Sequence, residues 1–415
     1  MTTTAELIAK QRRLKFYERL YIKRRFKSGY ESEWLEITKY LLDSSISIER
    51  ILDFDSFGYG QVKSGSATFE LNNIDGDFNG VGELYSLFEF CISRQYTKVL
   101  YKAGYLDEDG VQIDETLFQG ILNEKTARSN FESGIFVMTA LDYSSVFTEQ
   151  TIVDGSLSST ITASSLIEKI MNNSNLSSIV GYDTSKTSFG NATIFDDARE
   201  FESQEVAIVL TSICQKTNSI WYVDSNIDLV ISPRTPNANV PHQFIGGALK
   251  RNTTNIINIE TFDAGFTKII NEVVYDTNTV KFQIRPDIDN TIRNGVQTLN
   301  LQGADITTES KINAIGESII SEWKRPRKRV ILTTVFSPNI YTFFDLCTID
   351  FSQEVKSYPD KEILVVNQND LINDDFFIGK KKNKIEIMPN EQYLYFGYSH
   401  NVKNGTTKHF LIQKQ

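Results

Sequence analysis

Residues 72–79, NNIDGDFN, gather Asn72, Asn73, Asp75, Asp77 and Asn79 around Gly76, directly behind the apolar run ATFEL. Carboxylate and amide oxygens at this density could ligate calcium. With Gly76 at the sixth position of a calcium loop, Asn73 and Asp75 fall on ligand positions. Leu71 then takes the first position and Gly82 the twelfth, where a bidentate glutamate is needed, so the strongest ligand is missing. A phosphate loop would use GYGQVKSGS, residues 58–66. Gly60 and Gly65 have the spacing, but Ser66 stands where a lysine must reach the phosphates and Ala67 where the magnesium hydroxyl belongs. Gly58 and Gly60 also lack the third glycine of a dinucleotide loop. A tight turn fits better, with Asp75 and Gly76 tolerating left-handed backbone and Phe69, Leu71 and Phe78 packing on one side.

Other chemistry is sparse. His242, His400 and His409 fall in stretches that read as loop-like or terminal, and none has a metal-pair spacing to another His or Cys. Cys91, Cys214 and Cys347 are far apart in apolar contexts, which predicts reduced core thiols without a disulfide framework or zinc site. No nucleophile elbow, HExxH or paired-cysteine motif is present. A glycosidase carboxylate pair could still hide among the 53 acids, because such pairs have no fixed sequence spacing. The expectation is a chain that is not an enzyme and takes no cofactor or metal.

The elements that would carry these residues are mainly β. From 35 to 150, segments such as SISIERIL, SATFELN, TKVLYKAGYL and GIFVMTALDYSSVF are rich in Phe, Tyr, Ile and Val and are separated by Gly, Asn and Asp. Between 160 and 235 the pattern changes. Leu166, Ile167, Ile170 and Met171 mark one helix, Val206, Val209, Leu210, Ile213 and Cys214 a second, and IWYVD with IDLVIS a hairpin. Pro233, Pro236 and Pro241 suggest a linker. Strands resume to 360, interrupted by a helix at 311–323 whose Ile312, Ile315, Ile319, Ile320 and Trp323 share a face. KEILVVNQ, KIEIMP, QYLYFGY and HFLIQK are β-like in 361–415. The domain reading is therefore a basic arm at 1–30, a β domain at 31–152, a small α+β domain at 153–240, a second β domain at 241–360 and a β segment at 361–415.

Charge divides the 415 residues unevenly. Within 1–29, Lys10, Arg12, Arg13, Lys15, Arg19, Lys23, Arg24, Arg25 and Lys27 face only Glu6 and Glu18, a net of +7, which leaves −17 on the rest. An acidic body argues against wrapping nucleic acid, which needs a basic footprint. Leu7, Ile8, Leu14, Tyr17, Leu20 and Tyr21 recur at near-helical intervals, so the arm reads as a helix. Such a helix could be a nucleic-acid arm, a membrane-surface helix, a transit peptide, or a helix docked on an acidic neighbour or on the body. A second basic cluster, Lys324, Arg325, Arg327, Lys328 and Arg329, follows the 311–323 helix. It could cap the negative helix end or form intersubunit ion pairs. No apolar run approaches a membrane span, and no apolar signal core opens the chain.

Three segments, taken in order, resemble phage tail baseplate hub and tail tip proteins. They are GSATFELNNIDGDF at 65–78, the helix–helix–hairpin stretch from ASSLIEKIMNNSNL to ESQEVAIVLTSICQKTNSIWYVDSNIDLVISPR within 163–234, and 289–351 with its helix, Pro-Arg stretch and strand. Phe344, Asp345 and Leu346 stand where that family usually closes with Leu-Gly-Asp, and a long basic N-terminal helix is not expected of it. The resemblance implies two tail-tube-like β-barrel or sandwich domains per chain, with an α+β insertion. It further implies a homotrimer that closes the tail tube around a DNA channel. The implied neighbours are a tail tube or distal-tail ring, the tape-measure protein and tip, spike or baseplate proteins. Genomic DNA would pass the lumen without specific binding, and the protein would reside in the virion after assembly in the host cytoplasm. On this reading the basic arm meets an acidic tail partner. A distal-tail or other baseplate ring protein, and a carbohydrate-binding or carbohydrate-active β protein, are the alternatives.

Overall fold

Alternating apolar residues, the signature of half-buried strands, build most of the chain. The computed structural model describes residues 15–414 except 27, 43–46, 53–59, 62–64, 79–95, 107–111, 131, 174, 237–241, 248–255, 264–268, 287–294, 326, 336–341, 355–383, 388–390 and 402–404. The first β block contains β1 (Lys15–Lys23), β2 (Leu35–Glu36), β3 (Ser47–Ile51), β4 (Ser66–Asn72), β5 (Lys98–Leu106), β6 (Gln112–Asn130) and β7 (Ile135–Asp142). Next come α1 (Ala163–Asn173), α2 (Val206–Lys216) and the hairpin β8 (Ser219–Val223) and β9 (Asp228–Pro233). The second half holds β10 (His242–Gly247), β11 (Ile256–Asp263), β12 (Glu272–Asp276), β13 (Lys281–Ile284), β14 (Thr298–Gln302), α3 (Glu309–Trp323), β15 (Arg329–Val335) and β16 (Leu346–Glu354). The chain closes on β17 (Gln392–Asn401) and β18 (Thr406–Gln413). The fold is mainly β with an α+β insertion, as the sequence predicts.

One large sheet runs β11-β15-β18-β17-β3-β4-β7-β6-β5-β1-β2, with β16 on β17 and β10 parallel to β16. The hairpin β17–β18 therefore sits at its centre, bonded to β15 on one side and β3 on the other. The described C-terminal strands of the 361–415 segment are thus part of the large sheet and not a segment apart from it. Tyr393, Tyr395, Tyr398 and Leu411 are buried there in the same core as Phe69, Val99, Phe136, Val330 and Leu332, so the hairpin joins both β blocks. The segment KEILVVNQ lies outside the described residues.

A second core holds Leu166, Ile170, Leu210, Ile213 and Trp221 together with Val273, Ile312, Ile319 and Trp323. Helix α3 packs on β12 and β13 of the same stretch and shares this core with α1 and α2. Its first turn explains the attachment. Asp196 accepts from the N–H groups of Thr307 and Thr308 at 2.9 and 3.0 Å and is paired with Lys311, capping α3 from the far side of the chain. Burial works to raise the Asp196 carboxyl, but Lys311 and these donors outweigh it and hold it well below the usual carboxylate range.

The N-terminal helix is the main correction. Residues 15–23 form a strand, antiparallel to β5 through nine Cα pairs from Lys15↔Leu106 to Lys23↔Lys98. Tyr17, Leu20 and Tyr21 fit a helical period, but Leu20 and Ile22 also fit a period of two, and both are fully buried. KFYERLYIK is rich in aromatic and branched side chains, and ladder pairing with β5 decides the outcome. Residues 1–14 are outside the described residues.

A candidate assembly surface

The turn after β4 is closed by Gly76 N–H to Asn73 O at 3.1 Å, with Gly76 at φ 78°. Left-handed backbone falls on Gly76 and not on Asp75, which corrects the expectation that both adopt it. Asn73 is committed locally, its Oδ1 accepting Phe78 N–H at 2.8 Å and its Nδ2 donating to Ser129 at 3.2 Å. Phe78 is buried, stacked on Phe136 and met edge-on by Tyr40. Gly76→Ala is expected to cost about 1 kcal/mol from the left-handed backbone alone, read as a lower urea midpoint at unchanged slope; an unchanged midpoint would show that the turn relaxes. In the neighbouring glycine stretch, Gly65 N–H donates to Asp142 Oδ2 at 2.7 Å, and an added Cβ would meet Glu49 O at 2.9 Å. That glycine serves close strand packing, not a phosphate.

The histidines are strand residues, contrary to the loop-like reading: His242 opens β10, and His400 and His409 face the core from β17 and β18. Cys214 and Cys347 are buried free thiols; Cys91 lies outside the described residues. Among the described residues no group of three or more His, Cys, Asp or Glu side chains could hold a metal ion, and no helix is long and apolar enough to cross a membrane.

The basic residues divide by environment. Lys10, Arg12, Arg13 and Lys27 lie outside the described residues, and Lys15 opens β1. Arg19 lies over the Tyr17 ring, and Arg24 grips Glu31 through Nη2 at 2.5 Å and Nε at 2.9 Å. Lys23 donates to Ser32 O at 3.1 Å. Arg25 lies 5.7 and 5.0 Å from the ring centroids of Tyr30 and Tyr96. Sequence reading missed Lys98, which β-pairing sets directly opposite Lys23. Its only signal was membership of the TKVLYKAGYL strand.

After α3, the structure removes Arg327 from the partner-facing candidates. Arg327 is buried, donates through Nη2 to Glu322 O at 2.5 Å and lies 4.6 Å from the Trp323 ring centroid. It caps the helix end, as one of the two sequence readings had it. Arg234, also buried, reaches Glu322 at 2.9 Å and the same indole at 5.7 Å. Lys328 pairs with Glu391 at 2.5 Å. Arg325 is exposed, and Arg329 begins β15.

The turn before β16 departs from glycine chemistry. Phe344 takes φ 64°, a conformation bulky residues avoid. Its ring is buried against Phe396 at 5.6 Å, and its N–H donates to Tyr395 O at 2.9 Å, so packing holds the strained backbone. Asp345 secures the turn by accepting from Thr342 N–H and Oγ1, each at 2.9 Å.

A groove of about 720 Å3 runs between α2 and β14, lined by Gln204, Thr211, Ser212, Gln215, Asn300 and Gln302 among others. Phe201, the one aromatic in its lining, is buried. Beneath it lies a buried ion pair that sequence reading did not find. Lys216 Nζ is 2.6 and 2.7 Å from the two Asp305 oxygens.

Neither a protein-family model nor a curated protein matches the chain by sequence. Solved structures do match. A tail protein from Neisseria meningitidis MC58 superposes at TM-score 0.54 with 9% identity, covering 96% of each chain. The 43 kDa tail protein of prophage MuSo2 from Shewanella oneidensis superposes at 0.50 with 10% identity, covering 95% of this chain and 97% of that one. At such low identity the likeness lies in the backbone path, and it extends end to end. The chain has the fold of phage tail proteins.

Proposed function

We propose that this protein is a structural, non-enzymatic component of a phage tail, the hub or tip adaptor that closes the tail tube as a homotrimer around the DNA channel. The observation that carries this reading is the end-to-end fold match to tail proteins. The joining of both β blocks into one sheet through β17 and β18 supports it, because three chains would then supply six β blocks in rigid pairs. Sheet edges invite pairing, which a ring of protomers would satisfy. The acidic body suits a channel that DNA must leave without strong adhesion. The neighbours on this reading are a tail tube or distal-tail ring, the tape-measure protein and tip, spike or baseplate proteins, with the basic N-terminal stretch meeting an acidic partner. Its place is the virion, after assembly in the host cytoplasm. The carbohydrate alternative gains nothing from the α2–β14 groove, whose aromatic is buried and offers no stacking platform.

Light scattering over a range of concentrations tests the reading. The expected mass is three times the 47.3 kDa chain. A sixfold mass would move the assignment to a distal-tail or baseplate ring, and a single-copy mass at every concentration would count against the ring.

A further inference from the structure

Three cations crowd one patch of the first β block. Lys23 and Lys98 are directly opposed across the β1–β5 ladder, a placement that like charges destabilise. Lys98 Nζ lies 4.5 Å from the centroid of Tyr30 and 5.9 Å from that of Tyr143, and Arg25 shares the Tyr30 ring from 5.7 Å. Among the described residues no carboxylate forms an ion pair with Lys98 or Arg25, while Glu31, held by Arg24, is close enough to Lys23 to feel its charge. The Tyr30 hydroxyl makes no hydrogen bond there either, and the buried Tyr143 hydroxyl has the Gln119 side chain beside it. Burial first, then the charges of Lys23 and Arg25, push the Lys98 ammonium down. Aromatic faces attract a cation but leave its charge in place. The ladder opposes like charges once more, Arg19 to Lys102; the Lys23–Lys98 end differs in gathering a third cation, Arg25, on a ring that Lys98 shares.

We propose that Lys23, Arg25 and Lys98, with the hydroxyls of Tyr30 and Tyr143, bind an oxyanion, supplied in the assembled state by an acidic side chain of another polypeptide. The anion would neutralise the opposed lysines and accept from both phenols. The site itself stands on the cluster; only the source of the anion rests on the tail reading.

Thermal melting in phosphate against chloride at equal ionic strength tests it. In the native protein, phosphate well above its dissociation constant is expected to raise the melting temperature by on the order of 5 °C. Lys98→Met keeps the apolar stem and removes one repelling charge. It should melt no lower than the native chain in chloride and lose the phosphate rise, whereas Lys98→Arg should retain it. Equal melting of the native protein in both salts, or an undiminished rise in Lys98→Met, overturns the site. Triglutamate distinguishes the source: a rise at a lower concentration than phosphate requires supports a polypeptide carboxylate, and no rise overturns it. A three-copy ring without an anion shift would sink this site and leave the tail reading standing; a single-copy chain with the shift would do the reverse.

Discussion

Replacing Asp305 with alanine is expected to destabilise the α+β core by about 3–5 kcal/mol, the cost of leaving one partner of a buried ion pair without the other. Lys216 and Asp305 expose 2% and 1% of their side chains, so in the native packing water does not reach the ammonium in the carboxylate's place. Lys216 ends α2 with its ammonium 5.6 Å from the ring centroids of both Phe201 and Tyr275. Burial drives that ammonium down in pKa while Asp305 opposes the shift, and alanine removes the opposition. The backbone around the pair multiplies the damage. Asp305 O accepts from Asp196 N–H at 2.7 Å, and Gly303 N–H donates to Asp276 O at 3.0 Å, so this loop ties β12 and the α3 cap to α2. Gly303 is required by the same pair: at φ 146°, an added Cβ would lie 2.0 Å from Asp305 Oδ1.

The double replacement Lys216→Met with Asp305→Leu separates charge from packing. It should recover most of the loss, because a buried pair exchanged for apolar side chains of similar volume is often neutral or stabilising. Urea unfolding of Lys216→Met, Asp305→Leu and the double, read as a double-mutant cycle, supplies the coupling. A single Asp305→Ala within 1 kcal/mol of the native chain would show that water enters and solvates Lys216.

The cores and elements were legible to different degrees in the sequence. Helices α1, α2 and α3 follow from Leu166–Met171, Val206–Cys214 and Ile312–Trp323 because a helix writes its buried face into residues three and four apart. Strand β4 follows from the alternation of SATFELN for the matching reason. Residues 15–23 misled because Leu20 serves both periods, and the deciding partner, β5, begins 75 positions further along at Lys98. Non-local pairing likewise hid the central place of β17 and β18. The ion pair of Lys216 with Asp305 spans 89 residues, and the opposition of Lys23 to Lys98 exists only once β1 and β5 are in register. Neither leaves a local pattern. For Arg327 the capping reading was legible, because a cation after a helix end meets its negative dipole, but its burial against Trp323 and Glu322 was not.

Acid should dissolve the join between the two β blocks before it reaches the carboxylates. His400 and His409 face the core from the central hairpin, and burial pushes each down to about 3, with His400 adding to the effect on His409. Thr334 Oγ1 at 2.9 Å and Tyr395 OH at 3.2 Å engage the two His409 nitrogens, and Thr407 Oγ1 meets His400 Nδ1 at 2.8 Å. In the unfolded chain both rings take up protons near pH 6.5. Between pH 6.5 and 3 the unfolded state therefore binds protons that the folded state refuses. The stability these rings allow is complete above about pH 6.5 and is lost as pH falls, at up to about 1.4 kcal/mol per pH unit for each histidine. Carboxylates held low, such as Glu260 beside Lys408, add acid sensitivity only from about pH 4.5 downward, so the interval from 6.5 to 4.5 isolates the histidines. Urea midpoints should fall steeply across it. The variant His400→Gln with His409→Gln, which keeps hydrogen-bonding capacity without the titration, should flatten the profile. A native midpoint constant over that interval would mean that the hairpin admits the protons while folded, and that the centre of the sheet is not the rigid join between its halves.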